Sequence, residues 1–251
     1  MAKPTEAFTP MLNVRDRIIV ALDVDSADEA AEIVRDLNGR VGGFKVGLQL
    51  FSAVGPAFVR ELTAAGNKVF LDLKFHDIPN TVAKASVEAA RLGVWMFNVH
   101  ASGGTEMMRT AVKEVGEACR NEGLIRPLVI GVTVLTSTNL GMMREAGVEN
   151  DIETQVARLS RLAADAGLDG VVASPLDVAA VRSAVADPKF LIVTPGIRPV
   201  SATADDQKRV TTVGRAIAGG SDYVVIGRPI TLAPDRIDAV ESIVGEAQSQ
   251  N

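Results

Sequence analysis

Short runs of apolar and β-branched residues recur along the chain at nearly even spacing: RIIVALD (17–23), FKVGL (44–48), KVFLDLK (68–74), WMFNVH (95–100), LVIGVTVL (128–135), GVVAS (170–174), LIVTPG (191–196) and YVVIG (223–227). These are eight candidate strands. The segments between them carry helical periodicity. Ser26 to Leu37 opens with Ser26 and Glu29 as a capping box and repeats apolar residues at Ala30, Ile33, Val34 and Leu37. Residues 104–122 are patterned as another helix, and Pro79 and Thr81 suit the opening of a third after a tight loop.

Strand and helix thus alternate throughout, which predicts parallel strands joined by helical crossovers in either a doubly wound open sheet or a closed barrel. Eight such units in 251 residues favour an α/β chain folded as a single (β/α)8 TIM barrel. That domain is expected to take in residues 1–251, with 1–14 as an N-terminal extension. The competing dinucleotide fold wants GxGxxG after its first strand, where this chain has ALDVDSADEA, and no GxxxxGK[ST] phosphate loop occurs.

Composition narrows the class. With 47% hydrophobic and 23% charged residues the chain is an ordinary globular one with enough length for a large core. Its 26 basic against 31 acidic residues give a net charge of -5, which argues against an extended nucleic-acid surface. The opening MAKPTEAFTP lacks the apolar core of a signal peptide, and the longest apolar run, Leu128 to Leu135, is far too short to span a bilayer. A cytoplasmic protein with no membrane partner is expected. The single Cys119 excludes an intrachain disulfide and reads as a small buried or half-buried residue.

In such a barrel the chemistry stands at the C-terminal ends of the strands. Those ends supply Asp23, Lys45, Asp72, Lys74, His100, Thr136, Arg198 and Arg228. The third run is the most informative. Strand alternation puts Lys68, Phe70, Asp72 and Lys74 on one face and Val69, Leu71 and Leu73 on the other. With the apolar face against the helices, Asp72 and Lys74 point into the barrel mouth, where each unpaired charge costs several kcal/mol and demands partners. The pair serves either catalysis or merely a buried ion pair fixing the strand. His100 is expected to face the barrel in a hydrogen-bonded structural role, and His76 to position its loop. The two histidines and the cysteine form no metal cluster, although Asp72 and Asp77 offer carboxylates to a magnesium ion.

Residues 72–81, DLKFHDIPNT, resemble the DxKxxDIPxT signature of the orotidine 5'-phosphate decarboxylase family, which makes UMP. The resemblance extends over nearly the whole chain through ALDVDS (21–26), FKVGLQLF (44–51), NVHASGG (98–104), VTVLTST (132–138), TPGIRP (194–199), DDQKRV (205–210) and VVIGRPI (224–230), with the compact 197–209 loop of the bacterial form. It implies a cofactor-free decarboxylase acting on orotidine 5'-phosphate. Lys74 would be the proton donor, Asp72 would lie beside the departing carboxylate, and Lys45 and Asp77 would complete a Lys-Asp-Lys-Asp array. Asp77, Ile78 and Thr81 would serve the partner's site in a homodimer. The resemblance further assigns Asp23 and Lys45 to the ribose hydroxyls, Thr136 to the pyrimidine, Arg228 and Gly227 to the phosphate, and Gln207 and Arg198 to closure over it. Two alternatives stay open: a magnesium-dependent sugar-phosphate decarboxylase or aldol synthase that shares DxKxxD, and a non-catalytic phosphate-binding barrel.

Overall fold

The structure is a computed structural model that describes residues 13–198 and 211–249. Among these, eight parallel strands close into a barrel in chain order: β1 (Ile18–Ala21), β2 (Gly43–Gly47), β3 (Val69–Phe75), β4 (Met96–His100), β5 (Leu128–Val132), β6 (Gly170–Val172), β7 (Leu191–Pro195) and β8 (Tyr223–Ile226), with β8 pairing back onto β1. Every expected run overlaps one strand, with β2 starting one residue before its run and β3 ending one residue after. The fifth run was expected to reach Leu135, but β5 stops at Val132, and the chain bends at Val134 into a turn closed by the Thr138 amide on the Leu135 carbonyl. The Thr133 hydroxyl donates to the Val172 carbonyl at 2.8 Å.

Alternation along each strand builds two cores. Ile18, Val20, Val69, Leu71, Phe97 and Val99 face the helices, while Ile19, Ala21, Phe70, Met96, Ile130, Val193 and Val225 fill the barrel. Strands buried on both faces read as nearly continuous apolar runs, which is why the periodicity of the sequence located them. Phe97 is fully buried, and truncating a side chain of this size in a packed core costs about 3–5 kcal/mol.

The helices follow local chemistry. Helix Ala27–Leu37 starts where the Ser26 hydroxyl accepts from the Glu29 amide at 3.2 Å, and it buries the expected Ala30, Ile33, Val34 and Leu37. Helix Gly104–Glu122 spans the expected residues and ends at Gly123, whose φ of 67° is the left-handed turn that glycine takes without steric cost. Cys119 lies buried on that helix.

The N-terminal end of the barrel is tied shut. Asp169 and Asp222, each just ahead of a strand, accept from the Val129 and Ile192 amides, both at 2.7 Å. Their other partners are Arg126 and Arg182. Trp95 and Tyr223 meet edge to face at the same end, with ring centroids 5.0 Å apart. Stability is thus concentrated at one end and the opposite end is left for the loops that carry chemistry.

Candidate active site

At the C-terminal mouth, four charged side chains from three consecutive strand ends form a row of alternating sign. Lys45 Nζ lies 2.9 Å from Asp23 Oδ1 and 3.4 Å from Asp72 Oδ2, and Lys74 Nζ lies 2.7 Å from Asp72 Oδ1. Register explains the meeting: Ala21 pairs with Lys45 across β1 and β2, and Gly47 with Asp72 across β2 and β3. A Cβ on Gly47 would sit 2.9 Å from the Lys45 ammonium and 3.2 Å from the Asp23 carboxylate, so a side chain there would make the ends of both groups give way.

Burial alone pushes the Asp72 carboxyl upward. The attraction of Lys45 and Lys74, with hydrogen bonds from Lys74 and Asn98, outweighs it and holds the group below the ordinary carboxylate range. Asp72 is therefore an anion at neutral pH. Both its oxygens face cations, and a divalent ion placed there would meet two ammonium groups.

The row opens on two adjoining hollows. One, of about 190 Å³, is lined by Phe70, Val132, Thr136, Ser137 and Val172 with Lys45, Asp72 and Lys74, so it offers a mainly apolar slot that also carries two hydroxyls. The other, of about 460 Å³, shares Lys45, Asp72 and Lys74 and runs out to Arg198, Gly227 and Arg228. Ile197 bridges in parallel to Thr211, and the Arg198 amide donates to the Thr211 carbonyl at 3.0 Å, which anchors that arginine's backbone at the rim. The arrangement suits a ligand with a planar ring at one end and an anion at the other.

Residues 16–243 match the family described as the orotidine 5'-phosphate decarboxylase / HUMPS family. The chain belongs to that family. An orotidine 5'-phosphate decarboxylase of Syntrophotalea carbinolica is 52% identical over 236 residues, covering 94% of this chain and 96% of that one. That of Geobacter sulfurreducens is 51% identical over 232 residues, covering 92% and 96%. The crystal structure of orotidine 5'-phosphate decarboxylase from Lactobacillus acidophilus superposes with a TM-score of 0.80 at 39% identity, covering 92% of this chain and 98% of that one.

For a member of the orotidine 5'-phosphate decarboxylase / HUMPS family, the structure gathers Asp23, Lys45, Asp72, Lys74, Thr136, Arg198, Gly227 and Arg228 around one mouth. Asp77, Ile78 and Thr81 are not among them. All three are exposed, Ile78 to 66%, and Asp77 accepts from the Ile78 amide at 2.7 Å. Gln207, with DDQKRV, lies outside the described residues.

Two corrections concern the β3–β4 region. Lys74 does not continue the regular alternation of β3. Its φ is 54°, and the pairing with β4 shifts between Leu71 and Phe75, so the lysine reaches the mouth from an irregular strand end. His100 is not hydrogen-bonded among the described residues; its ring lies against His76 with centroids 5.4 Å apart. Burial, followed by the nearby His76 and Lys74, pushes the His100 imidazole below its ordinary range.

Sequence reasoning missed Asn98. This residue is 1% exposed and touches both Asp72 and Lys74. The signal was available: a lone amide stands among apolar neighbours in WMFNVH, two residues from His100 and so on the same face.

Proposed function

We propose that this protein converts orotidine 5'-phosphate to UMP and carbon dioxide by direct decarboxylation, with Lys74 as the proton donor. The observation that carries this reading is the row Asp23, Lys45, Asp72, Lys74 with spacings of 2.7–3.4 Å, whose last three members stand at the wall shared by a ring-sized slot and an arginine-bearing hollow. The ring carbon bearing the carboxylate sits against Lys74. Its bond to the carboxylate breaks, the electron pair stays on the ring carbon, carbon dioxide leaves, and the Lys74 ammonium supplies the proton. A fixed ammonium beside the developing carbanion favours the transition state over the bound substrate, and no electron sink is needed. A substrate carboxylate about 4 Å from Asp72 is disfavoured by roughly 4 kcal/mol at an effective dielectric near 20, and departure of carbon dioxide removes that repulsion.

Asp23 and Lys45 hold the ribose hydroxyls, Thr136 the pyrimidine, and Arg228 with the Gly227 backbone the phosphate, over which Arg198 and Gln207 close. Binding energy from the phosphate positions the ring for reaction. The exposed Asp77, Ile78 and Thr81 complete the neighbouring site in a homodimer. A cytoplasmic location suits this role, and no helix of the described residues is long and apolar enough to cross a membrane.

The test is ultraviolet loss of orotidine 5'-phosphate by purified protein in chelator. Full activity in EDTA is expected. Activity on orotidine 5'-phosphate that is lost in EDTA and restored by magnesium overturns the cofactor-free assignment. Lys74→Ala is expected to abolish turnover while UMP binding survives, and a variant that still turns over overturns the proton-donor role. Mixing Lys74→Ala with Asp77→Ala chains is expected to restore part of the activity, and verified hybrids without recovery refute the shared site.

A further inference from the structure

We infer that Asn98 is a positioning residue for this reaction: its side-chain amide clamps the Lys74 backbone and the Asp72 carboxylate together, and so sets where the Lys74 ammonium stands. The inference rests on the decarboxylase reading above. Lys74 is the one non-glycine residue with positive φ among the described residues, at 54°. A left-handed backbone under a side chain costs about 1–2 kcal/mol and persists only where the surroundings impose it. The surroundings here are specific. Pairing of Leu71 with Phe97 and of Phe75 with Val99 leaves residues 72–74 of β3 opposite Asn98 alone on β4. The Lys74 amide donates to Asn98 Oδ1 at 2.8 Å, and Asn98 Nδ2 donates to Asp72 Oδ1 at 2.7 Å.

These contacts close a ring. Lys74 is held at its backbone by Asn98 and at its ammonium by Asp72 Oδ1, the same oxygen that Asn98 holds. A backbone amide only donates and a carboxylate only accepts, so one orientation of the Asn98 amide satisfies both neighbours. The isosteric apolar side chain offers neither bond, and a carboxylate offers only the acceptor. Asn98 is buried and absent from the lining of either hollow, so it acts through Lys74 and Asp72.

The experiment compares wild type, Asn98→Ala and Asn98→Asp in steady-state turnover of orotidine 5'-phosphate across pH, with UMP affinity measured by calorimetry. Release of Lys74 from its clamp is a displacement of the order of 1 Å, which lowers kcat about 100-fold while KM and the UMP Kd move by less than about threefold. Asn98→Asp sets a second carboxylate against Asp72, with Lys45, Lys74 and His100 the other titratable groups near it. Two carboxylates in contact share a proton, and the introduced acid, once protonated, donates as the amide did. Its kcat relative to wild type is therefore expected to climb as pH falls, whereas the ratio for Asn98→Ala stays flat.

Asn98→Ala with kcat within about threefold of wild type overturns the inference, as does a fall in kcat that only accompanies loss of UMP binding. If Asn98→Ala does not fold, Asn98→Asp decides alone: acid recovery supports the clamp, and a pH-independent ratio overturns it. Wild-type turnover, measured alongside, tests the reaction separately from the role of Asn98.

Discussion

Replacing Asp72 by asparagine keeps its shape and removes its charge, which isolates what the carboxylate contributes to holding the row together. Asp72 stands 2.7 Å from the Lys74 ammonium and 3.4 Å from that of Lys45. At an effective dielectric near 20 those separations correspond to attractions of about 6 and about 5 kcal/mol, against a desolvation penalty of several kcal/mol for the buried carboxylate. Solvent screens the Lys74 share, since that side chain is 35% exposed, whereas Lys45 at 10% is screened little. Removing one partner of a buried pair costs about 3–5 kcal/mol, and the retained amide oxygen puts Asp72→Asn near the lower end, about 3 kcal/mol at neutral pH. The pH dependence has a definite sign. The carboxyl of Asp72 lies below its unfolded value, so the contribution is fully present above roughly pH 4 and is lost as pH falls through the lower, folded value. Urea unfolding at fixed protein concentration, followed by the fluorescence of the single Trp95, gives the difference between variant and wild type at each pH. The difference should hold constant down to the unfolded carboxylate range and shrink only below it. A variant as stable as wild type at neutral pH, or a difference that grows on acidification, would refute the claim that the row is held by its own charges.

Two further outcomes concern stability away from the mouth. Ser86 is fully buried on helix Pro79–Arg91 with its hydroxyl unpartnered among the described residues, so Ser86→Ala is expected to raise the unfolding free energy by about 1 kcal/mol, and a less stable variant refutes the orphaned hydroxyl. Arg182 donates to the Phe190 and Gly220 carbonyls at 2.6 and 2.7 Å and to Asp222 at 2.7 Å at the closed end of the barrel. Arg182→Met therefore removes the cation facing the Asp222 carboxylate, which keeps the Ile192 amide, together with the bonds to the two carbonyls, and costs about 3 kcal/mol in urea unfolding. Its kcat and KM should be unchanged in the turnover assay, and a kinetic defect without a stability loss contradicts the division of labour between the two ends.

How much of this was legible in the chain depends on which physical signal each feature leaves. The strands were readable because a parallel strand covered on both faces is apolar almost throughout, as IIVA and VFL are before the charges begin. The Asp72 and Lys74 pair was readable because alternation along the third strand put both on the face of the barrel mouth, the end at which such charges matter, whereas Lys45 joined them only through the family resemblance. Strand ends were less readable. The apolar run after Leu128 continues through Thr133 to Leu135, whereas the strand stops at Val132 and Thr133 gives its hydroxyl to the Val172 carbonyl of the neighbouring strand, a contact that leaves no trace in local sequence.

The same distinction accounts for Asn98 and Lys74. Regular alternation predicted the correct face for Lys74 but not its left-handed backbone, because the distortion is a response to a side chain 24 positions away. The reciprocal evidence stood in β4, where an amide occupies a buried position in an otherwise apolar run and needs a partner there. A polar residue out of phase with burial, read together with a charged strand end in the adjacent unit, therefore points to a contact that neither segment indicates alone. In this barrel the contact joins the backbone of the proposed proton donor to the carboxylate that holds its ammonium. Strain in the Lys74 backbone and preorganisation of its side chain are thus two effects of one amide, and substitutions at position 98 should alter both together.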